Sequence, residues 1–227
     1  MYASDSAMNA VHQGGTWQEL TAWWPGQPGL RHVVCDVYGT LLKVSPGPAS
    51  AAILWQQTWA RLLPRQPLIA WEEMTHRLQA MVAGEHARAG RYHEVDWVKI
   101  FQALGGNARL ARHHAWLQRR CELMSGAAEF LQRLRLPISL CSNAQAYTRM
   151  ELRLALRAAK LRDRRFDRNL NFWSYEQGMA KPSPVIFSRI LSMLQLPASQ
   201  VIMIGDRRDN DIQPAKAQGW STWHLRD

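Results

Sequence analysis

Four short segments of the sequence combine side chains that are suited to the transfer of an anionic group. They are Asp36-Val-Tyr-Gly-Thr40, Ser142-Asn143, Lys181-Pro182 and Gly205-Asp206-Arg-Arg-Asp-Asn-Asp211. Grouped carboxylates repel one another unless a cation lies among them, and Mg²⁺ suits such a group because it keeps open positions for phosphate oxygens. A lysine and the N-termini of helices favour a bound anion. Carboxylates, Mg²⁺, a lysine and a hydroxyl together indicate phosphoryl transfer through an aspartate nucleophile.

Short apolar runs predict the strands that must position these segments. We expect strands at 32–36, 138–142, 170–174, 201–205 and 222–225, and helices at 126–135, 143–160, 183–195 and 210–218. Alternating strands and helices are typical of right-handed βαβ units and a mostly parallel sheet. Because open sheets of this class bind ligands at the carboxyl ends of their strands, the polar segments should meet at one edge.

Residues 45–124 interrupt this alternation, because apolar residues recur there at the spacing of helices. We therefore predict an inserted all-helical cap at 45–124. The core then comprises residues 30–44 and 125–227. Residues 1–29 lack a hydrophobic period, and we expect a loose N-terminal arm with one helical turn near Trp17–Trp24.

The polar segment 91–96 of the predicted cap follows Gly90. It either dips into the site as a loop or forms a solvated connection between helices, and the sequence leaves both interpretations open. His113 and His114 have neither the spacing nor the acidic neighbours of a metal site, so we expect both at the surface.

The composition excludes several classes of protein. The chain has 227 residues, of which 47% are hydrophobic, so it can bury a core and is not disordered throughout. No run approaches the ~20 apolar residues needed to span a bilayer, and the first residues do not resemble a signal peptide. Three cysteines without a Cys-x-x-Cys pair provide neither a disulfide framework nor a zinc site. We expect a soluble, cytoplasmic protein with no membrane partner.

The formal net charge of +10 raises the question of a polyanionic partner. The strongest candidate surface is the basic stretch 149–168, where Arg149, Arg153 and Arg157 share one helical face. Acidic residues dilute this stretch and no aromatic residues for base stacking interleave it, so we expect a solvated face and no nucleic-acid partner. The sequence carries no signal for an oligomeric state.

Taken in order, the four segments resemble the motifs of the haloacid dehalogenase-like hydrolase superfamily. The motifs are Val33-Val-Cys-Asp-Val-Tyr-Gly-Thr-Leu-Leu42, Leu140-Cys-Ser-Asn143, Gly178-Met-Ala-Lys-Pro-Ser-Pro184 and Ile204-Gly-Asp-Arg-Arg-Asp-Asn-Asp-Ile212. Each motif alone is weak, but four in order at the ends of predicted strands form a specific signal. The resemblance implies an α/β fold with a three-layer Rossmann-like core, a mostly parallel sheet and a cap inserted after the first motif.

The resemblance also implies a role for each matching residue. Asp36 would be the nucleophile, and Ser142 and Lys181 would hold the transferring group. The substrate oxygens and the backbone around them would be positioned by Tyr38, Thr40 and Asn143. The ligands of Mg²⁺ would come from the first and the last motif, namely Asp36, the main-chain carbonyl of Tyr38, Asp206 and Asp211.

Tyr38 departs from the pattern of the phosphatases in this superfamily. Those enzymes carry a second aspartate two residues after the nucleophile, whereas a tyrosine there resembles the metal-independent 2-haloacid dehalogenases. The acids of the last motif favour a metal site, since Asp36, Asp206 and Asp211 around one point would be unfavourable without a cation. We therefore expect a Mg²⁺-dependent phosphatase that acts on a small anionic substrate, a phosphorylated metabolite. The alternatives are a 2-haloacid dehalogenase and a catalytically weak relative that binds polyanions.

Overall fold

A six-stranded parallel sheet forms the centre of the protein in a computed structural model that describes residues 10–90, 92–163 and 166–226. The strands lie across the sheet in the order β1 (His12–Gly15), β8 (Ser221–Leu225), β7 (Val201–Gly205), β2 (His32–Cys35), β5 (Ile138–Ser142) and β6 (Phe172–Trp173). Every neighbouring pair is parallel. The α/β class and the mostly parallel sheet predicted from the sequence are confirmed.

Helices cover both faces of this sheet. Alternate residues of a strand point to opposite faces, so strands that are apolar at every position need packing on both sides. Val33 and Cys35 of β2 pack in one apolar cluster, and Val34 packs in another. The first cluster includes residues of α1 (Trp17–Trp23), α6 (Ala127–Arg133) and α7 (Thr148–Ala158). The second includes residues of α9 (Pro184–Leu194) and α10 (Gln213–Ala217). The result is the three-layer, Rossmann-like arrangement expected from continuous apolar strands.

The strand predictions differ from the structure mainly at 170–174. Only Phe172 and Trp173 are extended there, and the chain continues directly into the short helix α8 (Ser174–Gln177). The helix predicted at 210–218 is also divided, since a π-helical turn at Arg208–Ile212 precedes α10. The predicted helix at 143–160 begins later, with α7.

The inserted segment has an apolar core of its own. It contains α2 (Ala51–Leu62), α3 (Trp71–Ala89), α4 (Trp97–Ala103) and α5 (Ala108–Gln118), which bury residues such as Trp55, Trp59 and Phe101 together. An antiparallel ribbon of β3 (Leu42–Pro46) and β4 (Arg119–Leu123) joins these helices to the sheet. The helical spacing of apolar residues in the sequence continues through β4, so the sequence does not predict this ribbon. The boundaries of the cap and the core stay a prediction.

His114 corrects the expectation that both histidines of α5 lie at the surface. Its ring is 1% exposed and packs against Trp55, Trp71 and Phe101, with centroid distances of 5.4, 4.5 and 5.1 Å. This burial lowers the pKa of His114 to about 3. His113 is half-buried. Within the described residues, no helix combines the length and the apolar character needed to cross a membrane.

The N-terminal segment is part of the core, which corrects the prediction of a loose arm for its described residues. β1 pairs with β8 through backbone hydrogen bonds, so it needs no apolar pattern of its own. Thr16 and Glu19 form a capping box at the start of α1, in the region where a helical turn was expected. Trp17 is buried, and its indole nitrogen donates to the carbonyl of Thr40 at 3.0 Å. Residues 1–9 of the predicted arm lie outside the described residues.

Candidate active site

The carboxyl ends of three neighbouring strands bring the predicted site residues together. Asp36 follows β2, Ser142 ends β5 and Asp206 follows β7, and these three strands are adjacent and parallel. A cavity of about 150 Å³ lies at this edge. Its lining includes the predicted residues Asp36, Tyr38, Ser142, Asn143, Lys181 and Asp211. Arg207 and Asn210 of the last motif also line the cavity.

Thr40 joins the first motif to the last. Its hydroxyl accepts from the backbone N–H of Asp206 at 3.1 Å and lies 3.1 Å from Asp206 Oδ1 and 3.4 Å from Asp36 Oδ2. Gly39 makes this approach possible, because its φ is +76° and a Cβ at that position would collide with the carboxylate of Asp206. Thr40 is fully buried, and its hydroxyl lies against these two carboxylates. Its contact with substrate stays a prediction.

Asp36, Asp206 and Asp211 form a close group of carboxylates. One oxygen from each lies within 4.8 Å of the others, and Asp36 and Asp211 are buried. Burial and the charge of Asp36 raise the pKa of Asp206. Asp211 is fixed by the backbone N–H of Arg207 at 3.1 Å, and Gly205 leaves the space that its side chain occupies. The group therefore concentrates negative charge at one point.

Lys181 supplies the positive charge within this group. Its Nζ donates to Asp36 Oδ1 at 2.7 Å and to Asp211 Oδ1 at 2.5 Å, and the side chain is 3% exposed. Burial alone would lower the pKa of Lys181, but the charges of Asp211 and Asp36 raise it, so the ammonium group stays protonated. One ammonium among three carboxylates leaves an excess of negative charge that suits a divalent cation with oxygen ligands.

Asn143 and Ser142 complete the edge of the cavity beside Lys181. The amide of Asn143 makes two bonds with the backbone of Lys181, accepting from its N–H at 2.7 Å and donating to its carbonyl at 2.9 Å. Asn143 thus holds in place the loop 178–183, which carries Lys181 and is called the lysine loop below. Ser142 Oγ is buried and, among the described residues, has no hydrogen-bond partner. A buried hydroxyl in a cavity wall is suited to an oxygen of a bound anion.

The hydroxyl of Tyr38 enters a network that the sequence analysis missed. Thr148 Oγ1 lies 2.7 Å from this hydroxyl, Arg119 Nη2 donates to it at 2.6 Å, and Glu151 Oε2 is also in contact. Arg119 makes two further bonds to Glu151, each at 3.1 Å, and its guanidinium lies 4.5 Å from the centre of the Tyr38 ring. Burial raises the pKa of Tyr38 well above its ordinary value. The sequence offers no local signal for this network, because its members come from separate elements.

The segment 92–97 of the insert lies against the lysine loop. Ala180 N donates to the carbonyl of Tyr92 at 2.8 Å, and Glu94 N donates to that of Gly178 at 3.3 Å. Gln145 Nε2 donates to a carboxylate oxygen of Glu94 at 2.9 Å, and Gln145 Oε1 accepts from the backbone N–H of Trp97 at 3.0 Å. Of the two interpretations of this segment, its described part therefore favours a loop that packs beside the site.

The family model of the haloacid dehalogenase-like hydrolases matches residues 30–219. The chain belongs to this family. Its members are hydrolases, so the protein is a hydrolase with the fold that the motifs implied. A search of the curated proteins finds no match.

Solved structures of dehalogenases and of a phosphatase share this fold. A dehalogenase is 20% identical with a TM-score of 0.53, over 87% of this chain and 85% of the other. A 2-haloacid dehalogenase from Pseudomonas syringae pv. Tomato is 16% identical with a TM-score of 0.59, over 85% of each chain. A phosphatase of the family from Thermococcus onnurineus is 20% identical with a TM-score of 0.54, over 87% of this chain and 86% of the other. These likenesses support the fold and leave the reaction to the site itself.

The basic stretch has partners on the protein surface. Arg149 pairs with Glu176 at 2.7 Å, and Arg153 pairs with Asp163 at 3.4 Å. Part of its charge is therefore compensated locally, as expected for a solvated face. The absence of a nucleic-acid partner stays a prediction.

Proposed function

We propose that the protein is a Mg²⁺-dependent phosphatase that acts on a small phosphorylated metabolite. The observation that carries the proposal is the excess of negative charge at the site. Asp36, Asp206 and Asp211 lie around the ammonium of Lys181, and the guanidinium of Arg207 in the cavity wall is already paired with Asp209. One oxygen of each carboxylate lies within 4.8 Å of the others. A divalent cation that prefers oxygen ligands would stabilise such a group. The cavity of about 150 Å³ suits a small substrate.

Asp36 is the nucleophile in this proposal. It is buried, lies at the end of β2 and points an oxygen at Lys181, so its attack on phosphorus needs little reorganisation. Lys181 and Ser142 bind the oxygens of the phosphoryl group from one side of the cavity. Asn143 keeps Lys181 in place through its backbone. These contacts stabilise the charge that develops during transfer.

The metal ligands in the proposal are Asp36, Asp206 and Asp211, with the main-chain carbonyl of Tyr38. When bound, Mg²⁺ would neutralise part of their charge and polarise the phosphoryl oxygens. Thr40 keeps Asp206 oriented, since its hydroxyl accepts from the Asp206 N–H and contacts the carboxylate. Burial and the charge of Asp36 raise the pKa of Asp206, so its ionised form is unfavourable without a cation. A bound cation would favour that form, which supports the assignment of Asp206 as a ligand.

The second candidate is a 2-haloacid dehalogenase, and the observation that favours it is Tyr38 in the cavity wall. Such a reaction also uses an aspartate nucleophile, here Asp36, and leaves a halide. The cluster of three carboxylates argues against it, since displacement of a halide needs no divalent cation. Halide release from 2-chloropropionate in the presence of EDTA would establish this candidate.

The proposal is tested with 4-nitrophenyl phosphate and purified variants. Wild-type protein should release 4-nitrophenol with Mg²⁺ and stop in EDTA, and Asp36→Asn and Asp206→Asn should each reduce the rate by about 10²-fold or more. Asp209→Asn is the matched control, because Asp209 belongs to the same motif but is exposed and pairs with Arg207 at 2.6 Å. Turnover that persists in EDTA or in Asp36→Asn would overturn the proposal.

A further inference from the structure

Tyr38 is placed between the cavity and the network that holds its hydroxyl. The residue lines the cavity together with Asp36 and Lys181. Its hydroxyl contacts Arg119 of β4 and Glu151 of α7. The side chain thus links the loop 36–41, which carries Asp36, to two elements far away in sequence. The direction of its hydrogen bonds decides what its proton can do.

The donors and acceptors around this hydroxyl can be assigned from their chemistry. A guanidinium only donates, so Arg119 Nη2 donates to Tyr38 Oη at 2.6 Å. A carboxylate only accepts, and Glu151 accepts two bonds from Arg119 at 3.1 Å. The hydroxyl hydrogen of Tyr38 therefore points to Glu151. Thr148, whose Oγ1 accepts from the N–H of Gln145 at 3.0 Å, is free to donate its own hydrogen to Tyr38.

Ser142 and Lys181 also carry protons at the cavity, but a serine hydroxyl is too weak an acid to protonate a leaving group, which leaves Lys181 as the stronger donor to consider. Two of its N–H groups are directed at Asp36 and Asp211. Arg207 also lines the cavity, but a guanidinium does not give up its proton in proteins. The cationic groups of the lining can therefore bind anionic oxygens, while the tyrosine proton is directed to Glu151.

We propose that Tyr38 is a positioning residue, and that the site takes phosphates whose leaving group departs as a stable anion, namely acyl phosphates and activated aryl phosphates. The proposal rests on the phosphatase function and specifies its class of substrate. Arg119 and Glu151 act through Tyr38, because they hold its hydroxyl and thereby the loop that also carries Asp36. Simple alkyl phosphates are poor substrates, since an alkoxide needs a proton in order to leave.

The reaction balances without a proton for the leaving group. A carboxylate oxygen of Asp36 forms a bond to phosphorus, and the bond from phosphorus to the leaving oxygen breaks. The electron pair of that bond departs with a carboxylate or phenolate anion, and an aspartyl phosphate remains. Water then attacks phosphorus, the bond to Asp36 breaks, and both hydrogens of the water leave on the released phosphate.

The test is the dependence of kcat/KM on the leaving group in the full-length protein with Mg²⁺. The substrates are acetyl phosphate, 4-nitrophenyl phosphate, phenyl phosphate and glycerol phosphate. We expect kcat/KM to fall by about 100-fold or more from 4-nitrophenyl to phenyl phosphate, because no general acid offsets the poorer leaving group. Glycerol phosphate should be slower still.

Variants separate a positioning role from proton donation. Tyr38→Phe should lower kcat/KM by a similar factor for every substrate, so the dependence on the leaving group keeps its slope. Tyr147→Phe is the matched control, because that ring also faces Arg119, with the guanidinium 5.4 Å from its centre, but it does not line the cavity. Circular dichroism should establish that each variant is folded.

Three outcomes distinguish the proposals. A shallow dependence in the wild-type protein would overturn the assignment of substrate class while the phosphatase function stands. A loss in Tyr38→Phe that is concentrated on phenyl and glycerol phosphate would make the hydroxyl the proton donor and would overturn the positioning role. No turnover of any substrate, acetyl phosphate included, would overturn the phosphatase function and this inference with it.

Discussion

The ammonium of Lys181 lies 2.7 Å from a carboxylate oxygen of Asp36, and both side chains are buried. Lys181 also contacts Asp211, which is itself 1% exposed. The nucleophile is therefore held by a cation that comes from a different loop of the sheet edge. Ion pairs of this kind contribute little net stability when intact, but removing one partner leaves a buried charge without compensation.

Replacement of Lys181 by methionine should destabilise the protein. The variant leaves Asp36 and Asp211 facing each other without their common cation, so we expect the free energy of unfolding in EDTA to fall by about 3–5 kcal/mol. Urea denaturation measures this loss. Lys43→Met is the control, because Lys43 is exposed on β3 and its replacement should change the free energy by less than about 0.5 kcal/mol. Equal effects of the two variants would contradict the prediction.

Mg²⁺ should stabilise the folded protein. Binding to the folded state alone raises the free energy of unfolding by about 2.7 kcal/mol at 100 times Kd, because the three carboxylates form one group only after folding. The melting temperature measured with and without Mg²⁺ tests this. Asp206→Asn should abolish the increase and Asp209→Asn should keep it, since Asp209 pairs with Arg207 at the surface. An increase that survives Asp206→Asn would place the ion elsewhere.

The sheet edge could be predicted because its signals are local. The strands β2, β5 and β7 are apolar runs that each end next to a polar site residue, so Asp36, Ser142 and Asp206 could be placed from the sequence. The strand β1 carries no such pattern. Its sequence is His-Gln-Gly-Gly, and its place in the sheet depends on backbone bonds to β8, at the other end of the chain.

The network at Tyr38 could not be predicted for a different reason. Tyr38 and Arg119 are 81 residues apart, and Tyr38 and Glu151 are 113 apart, so only tertiary packing brings them together. In the sequence, Glu151 is one acidic residue in a basic stretch and Arg119 follows a helical pattern. The ribbon that places Arg119 also escaped prediction, because two short strands pair across the whole insert.

The buried His114 should make the protein less stable in mild acid. Its folded-state pKa of about 3 lies below the ordinary value of 6.5, so the unfolded chain binds a proton that the folded protein excludes. Above pH 6.5 this histidine therefore costs the folded protein no stability. As the pH falls from 6.5 toward 3, the free energy of unfolding decreases by about 1.4 kcal/mol per pH unit. His114→Leu should flatten this dependence in urea denaturation between pH 7 and 5. The exposed His76 provides the control, and His76→Leu should leave the slope unchanged.

Arg119 and Glu151 should couple more strongly than an ordinary surface pair. Their side chains are 27% and 11% exposed and are joined through two nitrogens of Arg119, which also holds Tyr38. Charged hydrogen bonds in such partly buried sites contribute about 1.5–3 kcal/mol, whereas exposed pairs contribute about 0.2–1 kcal/mol. A double-mutant cycle with alanine at both positions measures the coupling free energy.

The matched pair for that cycle is Arg133 and Glu129 on α6, whose groups lie 2.8 Å apart but are 68% and 51% exposed. Both pairs have similar distances, so a difference in coupling reports the difference in burial and in hydrogen bonding. A coupling at Arg119 and Glu151 no larger than that of the control pair would mean that Tyr38 is held by its own packing. In that case Arg119 and Glu151 would not be what positions the tyrosine.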